Sequence, residues 1–374
     1  MFTVWYAFMS LLPFEGLRFI SPLLSPLRAL VHSQWLRESD VDAVLRVCNR
    51  GWSLRRVFAR VEARRWVADD MLELRLRPNA HWRGARPGQH LQLFVERDGV
   101  RHSRSYSLTR IAEDGCLEFA VKRQPGGRIS TFLLQQLCVG EMLELGQADG
   151  DLSWPTDDQG VLLLAAGSGL TPLLGLLREA LTRGYGGPVT LLHYVRQHGQ
   201  KAFVEGLQAL ARQYPNLELR WALSGDAALE GELSGRFQRE HVADLDGRHV
   251  LVCGPGGFVE TVRQALGASS RSLQVESFSP PAWGDREPAK AVNLRFARSA
   301  LQVAGDSRRS LLEQAESHGL RPVHGCRQGV CTRCTCTLVS GCVRDLRSGE
   351  LLSEPGQPIR ICVSAPQGDL TVDL

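Results

Sequence analysis

Four cysteines constrain this chain more than any other feature. Cys326, Cys331 and Cys334 stand at C-x4-C-x2-C spacing in the run Gly325-Cys-Arg-Gln-Gly-Val-Cys-Thr-Arg-Cys334, and Cys362 lies well downstream. Three thiolates from one tight loop and a fourth from a distant strand can converge on two irons, and the loop can turn backbone N–H groups toward the sulfurs. That spacing is the plant-type arrangement for a 2Fe-2S cluster. Merely buried thiols have no reason to adopt it. A structural zinc site, which ordinarily draws on paired C-x2-C steps, is the rival. Cys336 and Cys342 read as ordinary buried or edge residues.

The chain has 374 residues, 43% of them apolar, which suggests two or three domains with packed cores. Its ten cysteines do not have the spacing of a secreted disulfide framework, so a reducing cytoplasm is expected. The net charge is +4, unevenly spread: residues 1–65 carry 10 Lys/Arg against 5 Asp/Glu. No basic run with interleaved aromatics is present, so nucleic acid is not an expected partner. The opening MFTVWYAFMSLLPF lacks a basic n-region and a small-residue cleavage site, so a secretory signal is not expected. Its uncharged stretch ends at Glu15, short of the ~20 residues that cross a bilayer. The basic N-terminal part, residues 1–53, can instead lie peripherally on the inner face of a membrane or meet an acidic partner.

Residues 1–53 read as an extension, helical in places, with Val41, Val44, Leu45 and Cys48 at helical spacing. From 54 to 155 the chain reads as short strands, such as LELRLRP, HLQLFVE, SYSLTRI and LEFAVKR, with turns at Pro87-Gly88 and Asp98-Gly99. That rhythm predicts an antiparallel β-barrel. From 156 to 278 apolar strands alternate with amphipathic helices, beginning VLLLAAG then PLLGLLREAL, the signature of a doubly wound α/β sheet. Residues 279–290 are a Pro-rich, charged linker. In 291–374 a hairpin, AVNLRFARSALQVA, precedes a short helix that Asp306 or Ser307 can cap and Gly319 ends.

Residues 291–374 resemble a plant-type ferredoxin domain, a β-grasp α+β fold. Many such domains have Gly after the second loop cysteine; here Thr332 stands there, beside Arg333, and with Arg327 it gives the cluster a basic rim. Upstream, Arg104-Ser-Tyr106-Ser107-Leu108 matches the R-x-Y-S pattern of the ferredoxin–NADP reductase superfamily, and Gly126-Gly127-Arg128-Ile129-Ser130-Thr131 resembles its second flavin motif. Gly167-Ser-Gly169-Leu-Thr171-Pro172 resembles its nicotinamide loop. Cys253-Gly254-Pro255 resembles its C-G-P loop, and Phe278 in Val-Glu-Ser-Phe its closing aromatic.

The resemblance implies three modules in order: a flavin barrel, a doubly wound nicotinamide domain and a ferredoxin domain, the order of the phthalate dioxygenase reductases. It implies FAD (FMN is less favoured), a 2Fe-2S cluster and a nicotinamide nucleotide. Arg104 would neutralise flavin phosphate, Tyr106 stack on the ring and Ser107 place a hydroxyl at the hydride-accepting nitrogen. The helix start at Gly127–Thr131 would hold the diphosphate. Tyr106, Ser107 and Cys253 are the candidate catalytic residues. Arg196 and Lys201, with no acidic residue at the end of their strand, favour NADPH, with NADH the alternative. The expected partner is an electron-accepting oxygenase with an acidic docking face. The extension, with the stretches 341–350 and 361–366, resembles reductases of membrane fatty-acid desaturases, so a desaturase is the narrower expectation. The reductase of a Rieske dioxygenase or another monooxygenase, or of small acceptors, is the alternative.

Overall fold

The structure is a computed structural model that describes residues 24–33, 35–97, 100–242, 247–278, 289–325, 327, 329, 332–346 and 349–374. The Asp98-Gly99 turn, most of the 279–290 linker, Cys326 and Cys331 lie outside the described residues. Contacts group the chain into two compact units. One gathers the residues up to Thr156 with Thr171–Gly186 and Gln197–Pro215; the other gathers Asp157–Leu170, Gly187–Arg196 and Asn216–Leu374.

In the first unit, helices α1 (Ser25–His32) and α2 (Glu38–Cys48) precede strands β1 (Val57–Ala68), β2 (Met71–Pro78), β3 (His90–Arg97), β4 (Val100–Ile111) and β5 (Leu117–Lys122). Helix α3 (Arg128–Gln135) and β6 (Met142–Asp149) follow. The strands close into an antiparallel barrel in the order β1-β2-β5-β4-β3-β6. Alternation explains the closure: Leu72, Leu74, Leu76, Leu91, Leu93 and Phe119 fill its interior. Of the expected helical stripe in the extension, Val41 and Leu45 are buried but Val44 is 66% exposed. The buried face is therefore narrower than the spacing suggested. It packs with Trp52 and Leu54 and touches Ala80. Buried Asp42 accepts the Leu54 N–H at 2.8 Å and faces Arg56 at 3.4 Å, tying the extension to the start of the barrel.

Asp114, in the turn from β4 to β5, predicts an acid response. The Cys116 N–H holds its carboxyl at about 2, helped by the neighbouring Arg75, against an ordinary 3.8. A depressed carboxyl contributes stability above its unfolded value and loses it as pH falls through the folded value. Thermal melts should show wild type losing stability between pH 4 and 2 more steeply than Asp114→Asn, and otherwise matching curves.

The chain then runs through β7 (Val161–Ala166), α4 (Leu170–Thr182), β8 (Val189–Val195), α5 (Val204–Gln213), β9 (Leu217–Leu223), β10 (Leu233–Ser234), β11 (His249–Gly254), α6 (Gly256–Leu266) and β12 (Ser272–Ser277). The strands form a parallel sheet in the order β10-β9-β8-β7-β11-β12. β8 is buried along its whole length and β7 nearly so, as both-sided coverage demands.

The C-terminal part is a mixed sheet with a helix. Strands β13 (Ala291–Phe296) and β14 (Leu301–Asp306) form the expected hairpin, followed by α7 (Leu311–Ser317), β15 (Thr335–Ser340), β16 (Val343–Asp345) and β17 (Leu351–Leu352). Short strands β18 (Pro358–Arg360), β19 (Ser364–Pro366) and β20 (Leu370–Val372) complete it. One sheet runs β14-β13-β20-β15-β18 and a small one β17-β16-β19. The cap of α7 is Ser310, in a capping box with Glu313, rather than Asp306 or Ser307. Asp306 instead takes the Arg308 and Arg309 amides in the turn before it. No helix among the described residues is long and apolar enough to cross a membrane.

Candidate active site

Arg104, Tyr106, Ser107 and Leu108 lie on β4, opposite Leu93, Leu91 and His90 of β3 for the first three. Arg104 is exposed, Tyr106 half-buried, and Ser107 and Leu108 buried. Tyr106 stacks one ring face on Phe119, with centroids 5.2 Å apart and planes at 26°. Burial pushes its phenol up, against a lowering by Arg104, so it stays neutral. On the other face of the same strands, buried Gln92 Nε2 and Ser105 Oγ have no hydrogen-bond partner among the described residues. The two residues are directly opposed across the ladder. Unpartnered buried polar atoms of this kind call for a ligand or water. Sequence reading missed Gln92, whose only sign was a polar residue in an apolar strand.

Gly127 is the extended N-cap that precedes α3, and no side chain caps that helix start. The hydroxyls of Ser130 and Thr131 both donate to the Gly127 carbonyl, at 3.3 and 2.6 Å. As at any helix start, the first-turn amides of Arg128, Ile129 and Ser130 have no acceptor within the helix, the donor set an anionic diphosphate takes. A Cβ on Gly127 would sit 2.5 Å from Ser130 Oγ and 3.0 Å from the Gln124 carbonyl oxygen, so a side chain here would have to push the Ser130 hydroxyl aside.

In the second unit, β7 ends in the turn Gly167-Ser168-Gly169. A Cβ on Gly169 would lie 1.9 Å from the Cys253 carbonyl oxygen, and one on Gly254 would lie 2.9 Å from Ala166 Cβ. The two glycine loops, distant in sequence, are therefore in direct contact at the carboxyl ends of β7 and β11, where doubly wound sheets bind ligands. His193, missed in the sequence because it sits inside an apolar run, joins its Nε2 to the Gly167 carbonyl at 3.0 Å. Cys253 is fully buried, and burial pushes its thiol well up, so it is a neutral thiol. Pro255 precedes α6, and the Phe278 N–H donates to the Gly254 carbonyl at 3.0 Å. Arg196 follows β8 and is exposed, its carbonyl taking the Gly225 and Asp226 amides at 2.9 and 2.8 Å. In the first unit, Thr171 and Pro172 lie in the first turn of α4, both buried, and Lys201 is half-buried.

Of the cysteine quartet, Cys334 and Cys362 are described. Their sulfurs lie 3.1 Å apart across a 28-residue separation. The Gly329 N–H points at Cys362 Sγ at 3.2 Å. Two converging thiols with an amide aimed at one of them fit a cluster's donor set. Arg360 braces the loop by donating to the Gly329 carbonyl and pairing with Asp345. Arg327 is not an open rim charge: it donates to Glu316 at 2.8 Å and bonds His324 at 3.0 Å. Arg333 is exposed. Cys336 sits half-buried on β15 against the core, as an ordinary residue does.

Thr332 adopts φ +53°, the left-handed region that a β-branched residue avoids. Its carbonyl takes both the amide and the hydroxyl of Thr335. Thr332→Gly should raise stability by about 1 kcal/mol, the order of the left-handed penalty, read as a higher melting temperature with the visible spectrum unchanged.

A barrel with an uncapped helix start, a parallel sheet with two touching glycine loops and a domain with converging thiols together define a class: pyridine-nucleotide-dependent flavin and iron–sulfur oxidoreductases. Family models agree: the oxidoreductase FAD-binding domain matches residues 59–154, the oxidoreductase NAD-binding domain 163–264 and the 2Fe-2S iron-sulfur cluster binding domain 296–367. An NADPH oxidoreductase of Mycobacterium tuberculosis is 33% identical over 345 residues, covering 89% of this chain and 88% of that one. The ferredoxin reductase component of 3-ketosteroid-9-alpha-monooxygenase from the same organism is 33% identical over 312 residues, covering 76% and 83%. Phthalate dioxygenase reductase shares the fold at TM-score 0.57 and 23% identity, covering 85% of this chain and 98% of that one. The chain belongs to the ferredoxin–NADP reductase-type FAD/NAD-binding oxidoreductases with a C-terminal 2Fe-2S ferredoxin domain. It is an NAD(P)H oxidoreductase whose cofactors are FAD and a 2Fe-2S cluster.

Proposed function

We propose that this chain is the reductase component of an oxygenase system, drawing electrons from NADPH and delivering them singly to a partner oxygenase. The observation that carries it is the pair Cys334 and Cys362, converging in a domain that a reductase of small acceptors would not need. The relative named as a monooxygenase reductase component supports the same reading. When bound, the flavin and cluster supply the conversion of a hydride into single electrons.

The chain's own residues do the rest. Arg104 offers a cation to the flavin phosphates, and the amides of Arg128, Ile129 and Ser130, with Thr131 beside them, receive the diphosphate. Tyr106, held flat by Phe119, presents a neutral ring to the flavin, with Leu108 beside it. The Ser107 hydroxyl would offer a hydrogen bond near the hydride-accepting position of a bound flavin. Gly127, Gly167 and Gly169 let backbone approach phosphate. The family resemblance assigns Thr171, Pro172, Gly254 and Pro255 to the nicotinamide, with Cys253, a neutral thiol, next to Gly254. The family resemblance assigns Phe278 to the flavin. Cys326, Cys331, Cys334 and Cys362 hold the irons as thiolates. Each of Arg196 and Lys201 would offer a cation to a 2′-phosphate, which favours NADPH over NADH. The three modules divide near 54–155, 156–278 and 291–374.

The narrower desaturase expectation leans on the extension. Part of that extension, residues 1–23, lies outside the described residues, and the described part packs on the barrel through Trp52 and Asp42. The oxygenase reading therefore stands ahead of it. With Arg327 paired to Glu316, the rim offers an acidic partner less open charge than the sequence suggests. Reconstitution with candidate acceptors, comparing NADPH and NADH, tests the reading. Coupled turnover should exceed that with small acceptors, prefer NADPH and weaken with salt while flavin reduction does not. Full turnover on a quinone or ferric chelate with no gain from any protein acceptor would refute it.

A further inference from the structure

Helix α4 approaches β4 so closely that a Cβ on Gly175 would lie 2.4 Å from the Leu108 carbonyl oxygen. Three residues on, Arg178 Nη1 donates to the Thr109 carbonyl at 3.0 Å. These two carbonyls close the Arg104–Leu108 stretch and follow it directly. The strand is prepared for this contact. The β4–β5 register slips between Leu108 and Arg110, so Thr109 is the bulged residue, out of step with the ladder. The Thr109 hydroxyl donates to Glu73 at 3.2 Å, and Glu73 in turn takes Arg65 at 2.6 Å, with Thr109 and Glu73 both buried. Arg178 also lies over the Phe203 ring at 5.6 Å, and the Phe203 N–H is bonded to the Val67 carbonyl at 3.0 Å. Burial lowers the affinity of Arg178 for its proton while Glu73 and Glu118 raise it. All these residues belong to one compact unit.

We infer that Arg178 is a positioning residue that fixes the register of Thr171 and Pro172, at the start of its helix, against the flavin strand Arg104–Leu108. The inference rests on the function proposed above. Gly175 sets the closeness and Arg178 the register, because a planar guanidinium on a main-chain carbonyl holds the backbone itself. Neither residue touches the reacting atoms in this account. The consequence is kinetic: a displacement of about 1 Å can cost on the order of 100-fold in rate.

The test uses the full-length, flavin-loaded chain with Arg178→Met, Arg178→Lys and Gly175→Ala. Flavin content, the visible difference spectrum on titration with NADP⁺, and single-turnover bleaching by NADPH and its 4-deuterated form are measured. Arg178→Met should keep its flavin and its half-saturation for nucleotide. Its difference spectrum should change, its limiting rate should fall roughly 10- to 100-fold, and its deuterium isotope effect should grow. Gly175→Ala should act in the same sense, and Arg178→Lys should recover part of the loss. A wild-type limiting rate and difference spectrum in Arg178→Met would overturn the inference. So would loss of flavin from both Arg178 variants, which would make Arg178 a brace of the barrel. Failure of wild type to bleach would count against the proposed function instead, and is scored first.

Discussion

Cys362→Ser should leave flavin reduction by NADPH intact and reduce electron delivery to a protein acceptor to background. The sulfur of Cys362 lies 3.1 Å from that of Cys334 and receives the Gly329 amide, so it is placed to be the downstream thiolate of the quartet. Its neighbours Ile361 and Val363 are fully buried, which anchors it to the domain core independently of the loop. A serine fills nearly the same volume, so the fold should survive while the soft thiolate that iron requires is gone. Three readings separate the outcome. Iron and sulfide content should fall, stopped-flow bleaching of the flavin should keep its wild-type rate, and acceptor turnover should vanish. Ferricyanide, which can take electrons from flavin directly, should still be reduced. Slow flavin bleaching in this variant would mean that the cluster domain has a structural hold on the hydride step.

Gly169→Ala should do the reverse, stopping NADPH from reaching the flavin while sparing everything downstream. The added Cβ would lie 1.9 Å from the Cys253 carbonyl oxygen and 2.7 Å from the Gly254 amide nitrogen, all backbone. No rotamer change can relieve it, so one of the two loops must move. Overpacking of this kind costs about 1–3 kcal/mol in stability, and the moved loop is the one proposed to receive the nucleotide. NADPH-dependent bleaching should fall by more than its melting temperature suggests, while dithionite reduces flavin and cluster as in wild type. Gly254→Ala is the internal control. Its nearest obstacles are the Ala166 Cβ at 2.9 Å and the Phe258 ring at 3.0 Å, side-chain atoms of which the ring can turn aside. It should be milder. Equal, small effects of both would remove the backbone contact from the argument.

Much of this architecture is legible in the sequence, for identifiable reasons. Barrel strands announce themselves because alternate residues such as Leu72, Leu74 and Leu76 face one interior. The parallel sheet does so because β7, VLLLAA, reads as an unbroken apolar run and is buried along nearly its whole length. The cysteine spacing is local, so it survives without knowledge of the fold. What was not legible depends on pairings set only by tertiary packing. Val44 carries the helical period of Val41 and Leu45, yet faces outward because only a narrow side of α2 meets Trp52 and Leu54. Arg327 looks like an open rim charge until α7 brings Glu316 beside it. The α7 cap shifts to Ser310 because Asp306 is already committed to the turn amides. The bulge at Thr109, and the arginine that uses it, has no sequence sign at all, since a strand with one extra residue looks like a strand.

The central claim is that one polypeptide conducts electrons from nicotinamide through flavin to the Cys334–Cys362 cluster. An anaerobic titration of the full-length protein with NADPH, followed by visible absorption and low-temperature electron paramagnetic resonance, tests it most directly. The account predicts that flavin bands bleach and that the signal of a reduced 2Fe-2S cluster then grows with no other reductant present. Bleached flavin beside a cluster that stays oxidised, or no bleaching at all, would contradict it.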